Sequence, residues 1–146
     1  MNSASAPLFA QLDLITADMA ATVAFYARLG LTPEVTPDGV HAEARVHDGV
    51  TIEWDTIESV TNWDSRPPAA TGGSTVIGFA VQSREAVDDL YAELTGAGYR
   101  GHQMPHDAFF GARYAIVDDP DGNPVGLMSP VSAEYRHWPP RAAPSG

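Results

Sequence analysis

Polar and apolar positions alternate along "LFAQLDLIT" (residues 8–16), and the alternation gives way to a helical rhythm in "DMAATVAFYARLGL". The first pattern predicts a half-buried strand; the second, with Met19, Val23, Tyr26 and Ala27 recurring on one face, predicts a helix. Asp18 is placed to cap that helix and Gly30 to end it. "GVHAEARVHDGVTIEWDT" then alternates on both sides of "HDG", a hairpin signal. After the loop "SVTNWDSRPPAATGGS" the same order returns. An apolar strand "TVIGFAV" leads into a helix, "SREAVDDLYAELTGAG", capped by Ser83, ended by Gly96 or Gly98, and striped by Val87, Leu90, Tyr91 and Leu94. A strand-rich stretch closes in "YAIVDDPDGNPVGLMSP" around a "DPDG" turn. The prediction is an α+β chain in which β-α-β-β-β is written twice.

A duplication should hold register across whole elements. An offset of 65 carries Tyr26 onto Tyr91 and Gln11 onto Val76; an offset of 73 carries Glu53 in "DGVTIEW" onto Gly126 in "DGNPVGL". The expected organisation is one domain over 8–131, with modules at about 8–56 and 74–131 joined by a loop at 57–73. The Pro/Ser/Ala-rich segments 1–7 and 132–146 read as loose tails.

Composition narrows the chemistry. Cysteine is absent, so thiolate nucleophiles, disulfides and cysteine-held metals are excluded. All eight basic residues are arginine, which removes a Schiff-base lysine. A net charge of −11 opposes nucleic acid and anionic membrane surfaces and favours a cationic small molecule. The start "MNSASAPLFAQ" lacks a basic segment followed by an apolar run, and no apolar stretch reaches the ~20 residues a bilayer requires. A cytoplasmic protein is the expectation. No nucleophile elbow, phosphate loop or dinucleotide fingerprint is present.

The helix "DMAATVAFYARLGL" and the hairpin "YAIVDDPDGNPVGL" together resemble the vicinal oxygen chelate superfamily, which includes glyoxalases, extradiol dioxygenases, fosfomycin-resistance enzymes and bleomycin-resistance binding proteins. The resemblance covers roughly Leu8 to Met128. It implies two tandem βαβββ modules forming a curved mixed-sheet cup with helices outside, and a homodimer. It also implies four metal-ligand positions, which fall on Gln11, Glu53, Val76 and Gly126. Valine and glycine carry no side-chain donor. The resemblance alone therefore leaves Gln11 and Glu53 either as a remnant metal pair or as polar lining, and the second reading is preferred because zinc sites usually take three or four protein ligands.

Alternation along the strands adds to this reading, because residues two apart share a face. Asp13 lies with Gln11, and Asp55 with Glu53; Asp13 and Glu53 are a candidate carboxylate pair. Gly126 shares its face with Met128, so one wall is expected to be acidic and the other small and apolar. Trp54 should point into the helix layer. Phe109 and Phe110 in "DAFFGARYA", with Tyr114, offer stacking surface, and Trp63 lies in a loop able to act as a lid. Arg113 is expected to pair with an acid. Pro105 argues against a helical metal pair at His102 and His106, and His41 and His47 are expected to face solvent.

The expected function is metal-independent binding of a small cationic or aromatic ligand, of the bleomycin-resistance type. The expected ligand-binding residues are Gln11, Asp13, Glu53, Asp55, Trp63, Phe109, Phe110, Tyr114 and Met128. No cofactor is expected. The alternative is a metal-dependent glyoxalase-like lyase, isomerase or dioxygenase using Gln11 and Glu53.

Overall fold

The structure, a computed structural model, describes residues 6–68, 70–72, 75–140 and 142–145. Its internal contacts divide the chain into two compact units, Met1–Gly72 and Gly73–Gly146. Most of the expected N-terminal tail, residues 1–5, lies outside the described residues.

The first unit contains β1 (Gln11–Thr16), α1 (Met19–Arg28), β2 (Glu34–Val35), β3 (His41–His47), β4 (Val50–Thr56) and the single turn α2 (Ile57–Val60). Its sheet runs β1-β4-β3-β2, with β1 parallel to β4 and the other pairs antiparallel. The Asp18 carboxylate accepts the Ala21 N–H at 3.0 Å, and Gly30 takes the positive φ of 89° that lets the chain leave α1. The buried stripe of α1 is Met19, Thr22, Phe25 and Tyr26; Ala27 is exposed and Val23 only partly covered. Thr22 is tolerated there because its hydroxyl is hydrogen-bonded to that of Thr16 at 2.9 Å. Trp54 is fully buried, with its ring 5.0 Å from that of Tyr26, so the helix layer takes it as alternation required.

The second unit repeats the order: β5 (Ile77–Ala80), α3 (Arg84–Gly96), β6 (Gly101–Asp107), β7 (Arg113–Asp118) and β8 (Pro124–Met128), in a sheet ordered β5-β8-β7-β6. Ser83 accepts the Ala86 N–H at 3.1 Å to start α3. Val87 and Leu94 are fully buried, as are Ala115, Val117, Val125 and Leu127 from the sheet, while Leu90 and Tyr91 are half-buried. The "DPDG" turn closes through the Asp119 carboxylate, which accepts the N–H groups of Asp121 and Asn123 at 2.9 and 2.8 Å. Each unit is thus a βαβββ module with a mixed four-stranded sheet, the predicted α+β pattern.

Residues after Val131 depart from the expectation of a loose tail. Ala133–Tyr135 forms a 3₁₀ turn, Arg136 bridges Phe110, and the His137 N–H donates to the Phe109 carbonyl at 3.0 Å. The Arg84 guanidinium lies 3.6 Å over the Tyr135 ring. Among the described residues, no helix is long and apolar enough to cross a membrane.

Candidate functional site

The strand register of the first unit arranges one sheet face as a grid. Gln11, Thr51 and Arg45 lie side by side across β1, β4 and β3; the next row is Asp13, Glu53 and Glu43; the third is Ile15, Asp55 and His41. Three carboxylates therefore stand directly opposite one another, an arrangement that is destabilising unless cations or protons intervene. The register sets Gln11 level with Thr51 and makes Asp13 the direct neighbour of Glu53 on β1, the two members of the candidate carboxylate pair.

His41 was expected in solvent, but its side chain is only 29% exposed. Its Nδ1 lies 3.0 Å from Asp55 Oδ1, while Nε2 is 3.7 Å from oxygens of both Glu43 and Glu53. Burial works against protonating the ring, and the Asp55 bond with the charges of Asp55 and Glu53 outweighs it, so the His41 pKa is raised. Asp55 is further held by the Ser59 hydroxyl at 3.2 Å, and Glu53 by the Thr51 hydroxyl at 2.7 Å.

Asp13 has the most perturbed carboxyl. Desolvation, then a hydrogen bond with Asp55, then the charges of Asp55 and Glu53 push its pKa up to about 7, with His41 pulling the other way. When ionised, Asp13 has a buried Oδ1 with no hydrogen-bond donor. Gln11, Asp13, His41, Glu53, Asp55 and Trp63 line a pocket of about 320 Å³ beside this face. Trp63 is 58% exposed and lies just past α2, a helical turn capped by Thr56, its N–H donating to the Val60 carbonyl at 3.0 Å.

In the second unit a larger cavity of about 700 Å³ is lined by Gln103, His106, Phe109, Phe110, Tyr114 and Tyr135, among others. Phe109 and Phe110 pack edge to face at 5.5 Å, and Phe110 meets Tyr114 in the same way at 5.9 Å. Met128 pairs with Tyr114 across β8 and β7 but is not part of the lining. Asp107 is bound by Arg84 and Arg113; burial raises its carboxyl pKa, the two guanidinium groups overcome this, and the net shift is downward. Arg113 also binds Asp88 at 2.9 Å, so it pairs with acids as anticipated.

The four ligand positions implied by the resemblance do not make a ring of donors. Val76 precedes β5 and is half-exposed. The offset that matches Tyr26 to Tyr91 matches Asp13 to Gly78, and the structure pairs Gly78 with Gly126 where it pairs Asp13 with Glu53. A Cβ at Gly126 would lie 2.5 Å from the Tyr114 hydroxyl, so the tyrosine occupies the space a ligand side chain would need. The wall expected to be small and apolar is thus overlaid by a phenol.

His41 and Glu43 escaped the sequence reading because of a β-bulge. Pairing shifts by one residue between Arg45 and His47, and counting back from the "HDG" turn without that shift sets His41 level with Thr56. Tyr135, Arg136 and His137 were missed because they lie in a segment without periodicity.

A sequence model of the Glyoxalase/Bleomycin resistance protein/Dioxygenase superfamily matches residues 8–127. No curated protein matches the chain. Similar solved structures include a glyoxalase-related enzyme from Fulvimarina pelagi, with 20% identity and a TM-score of 0.75 over 86% of this chain and 93% of that one. A glyoxalase/bleomycin resistance protein/dioxygenase from Nocardioides has 25% identity and a TM-score of 0.69, over 88% and 87%. Lactoylglutathione lyase from Agrobacterium tumefaciens has 17% identity and a TM-score of 0.62, over 86% and 95%. With two βαβββ modules in tandem and a family match that spans both, this chain belongs to the glyoxalase/bleomycin resistance protein/dioxygenase superfamily, the vicinal oxygen chelate fold.

Proposed function

We propose that the protein binds a small organic cation on the acidic face of its first unit, without a metal ring of the family type, and acts by sequestration as a cytoplasmic homodimer. The observation that carries this reading is the convergence of Asp13, Glu53 and Asp55 on one pocket walled by Trp63, with an ionised Asp13 lacking any donor for its buried Oδ1. An ammonium or amidinium group supplies further positive charge and the N–H donor that Asp13 Oδ1 lacks. The Trp63 indole adds a cation–π contact of about 0.5–2 kcal/mol. Gln11 serves as a neutral polar contact at the pocket edge.

The test is calorimetric titration with benzamidine and with its uncharged counterpart benzamide, on the wild type and on Asp13→Asn and Glu53→Gln. Saturable benzamidine binding that weakens tenfold or more in benzamide, in either variant and at raised salt supports the reading. Equal affinity for the two compounds refutes it.

One observation favours a second reading, a metal-dependent lyase, isomerase or dioxygenase. Ligand atoms of His41, Glu43 and Glu53 lie within 4.8 Å of one another, and the Nδ1 of His41 is engaged by a carboxylate, which is how metal-bound histidines are commonly oriented. A metal held there would supply Lewis acidity; Asp55 would fix the imidazole tautomer and Thr51 the rotamer of Glu53. Stoichiometric uptake of Zn²⁺, Ni²⁺, Mn²⁺ or Fe²⁺ that disappears in Glu53→Ala would replace the first reading with this one.

A further inference from the structure

The cavity of the second unit shares no lining residue with the acidic face: its lining runs from Gln103 to Pro144. Its volume of about 700 Å³ falls within the usual range for small-molecule pockets. Four rings, Phe109, Phe110, Tyr114 and Tyr135, stand among its walls. One side is closed by the segment after Val131, held by the Phe110–Arg136 bridge and by Gln103, whose side-chain amide donates to the Pro144 carbonyl at 3.0 Å.

Gln103, Asp107, Glu134, Arg136 and His137 also line the cavity, but two polar groups, Tyr114 and His106, stand against the rings themselves, and each can donate. Burial raises the Tyr114 pKa, so its phenol stays protonated at neutral pH. The His106 ring meets Tyr114 edge to face at 6.5 Å, and its Nδ1 is buried without a partner. A buried N–H left unpaired costs more than an unpaired lone pair, which favours the tautomer with the proton on Nε2, the ring nitrogen that remains open. Of the charged lining, Asp107 is held by Arg84 and Arg113, the Arg136 Nε–H donates to the Phe110 carbonyl at 3.4 Å, and Glu134 accepts from the Ser132 hydroxyl at 3.5 Å. Gly126 makes the arrangement possible: with no side chain there, the Tyr114 ring can lie over β8.

We propose that this cavity binds a planar aromatic molecule bearing a carbonyl oxygen, seated among the rings of Phe110, Tyr114 and Tyr135, with the oxygen accepting from the Tyr114 hydroxyl and the His106 Nε2–H. A purely hydrocarbon ligand leaves both donors unpaired once water is displaced. A cationic one gains nothing from these two donors and finds Asp107 already held by two guanidinium groups. The site is independent of the organic-cation reading of the first unit.

The test titrates the full chain with chromone, a bicyclic aromatic ketone, and with naphthalene, a hydrocarbon of similar size, following Trp and Tyr fluorescence. Chromone should saturate at one equivalent and bind at least tenfold more tightly than naphthalene. Tyr114→Phe should weaken chromone between twofold and tenfold, the range of one neutral hydrogen bond, and leave naphthalene unchanged. His106→Phe should act in the same direction. Asp13→Asn and Glu53→Gln should leave chromone binding unaltered, which separates this site from the acidic face. Equal affinities for the two probes, an unaffected Tyr114→Phe, loss of chromone binding in the acidic-face variants, or no saturable binding by the wild type each overturns the proposal.

Discussion

Replacing Asp13 by Asn isolates the electrostatics of the acidic face. In the folded chain, desolvation, the bond to Asp55 and the neighbouring charges move the Asp13 pKa from 3.8 to about 7. The unfolded chain has none of these influences, so between those values the folded state keeps a proton that the unfolded state has released. The stability carried by that proton is complete below about pH 4 and is lost as pH rises through about 7. A shift of this size corresponds to about 4 kcal/mol. Asp13 is only half-buried, and solvent screening reduces the figure to about 2 kcal/mol. Roughly half of that falls between pH 5.5 and pH 8, a window that stays clear of the sequence pI of about 4.5. Asparagine does not titrate and offers Asp55 an amide donor at any pH. The variant should therefore gain about 1 kcal/mol on the wild type between pH 5.5 and pH 8. Urea unfolding at the two pH values, followed by the fluorescence of buried Trp54, should show the midpoint difference changing by about 0.5 M. A difference between variant and wild type that is the same at both pH values refutes the reasoning.

Three further outcomes follow from the packing and the ion pairs. His41→Asn removes the group that neutralises Asp55, Glu43 and Glu53; its raised pKa means that the lost stability, about 1–2 kcal/mol, is greatest below pH 6.5 and fades as pH rises through the folded value, as chemical denaturation at pH 6 and pH 9 will show. Gly126→Ala drives a methyl group to within 2.5 Å of the Tyr114 hydroxyl and should cost about 1–3 kcal/mol; combined with Tyr114→Ala the costs should be far from additive, and an additive double-mutant cycle contradicts the overlap. Trp54→Ala should cost about 3–5 kcal/mol in the first unit, while Trp54→Phe should cost much less, because it also removes an indole N–H that has no partner; equal losses would count against that accounting.

Much of the fold is legible in the sequence because it depends on short-range rules. Asp18 and Ser83 cap the helices they precede, Gly30 and Gly98 adopt the positive φ values that end them, and the repeated order of elements becomes two sheets of one topology. The face of β4 that carries Glu53 and Asp55 follows from a period of two, and so does the burial of Trp54. Such signals involve residues close in sequence, so no knowledge of distant packing is needed to read them.

The tertiary structure decided what those faces meet. One bulged residue near Val46 brings His41 level with Asp55, and no local pattern announces a bulge. Parallel pairing of β1 with β4 makes Asp13 the neighbour of Glu53 and pushes its carboxyl up; that register is set across some forty residues of intervening chain. Gly126 has a similar history: the sequence shows a missing ligand, and only the sheet shows the Tyr114 ring filling its place. The aperiodic segment that supplies Tyr135 and Arg136 gains its position from an arginine, a backbone bridge and a cluster of rings contributed by other parts of the second unit. The sequence by itself determined the modules, their caps and the alternation of the strands, because each depends on neighbours a few residues away. The chemistry of the two pockets depends on charges and rings brought together from distant segments, and those contacts exist only once the sheets have formed.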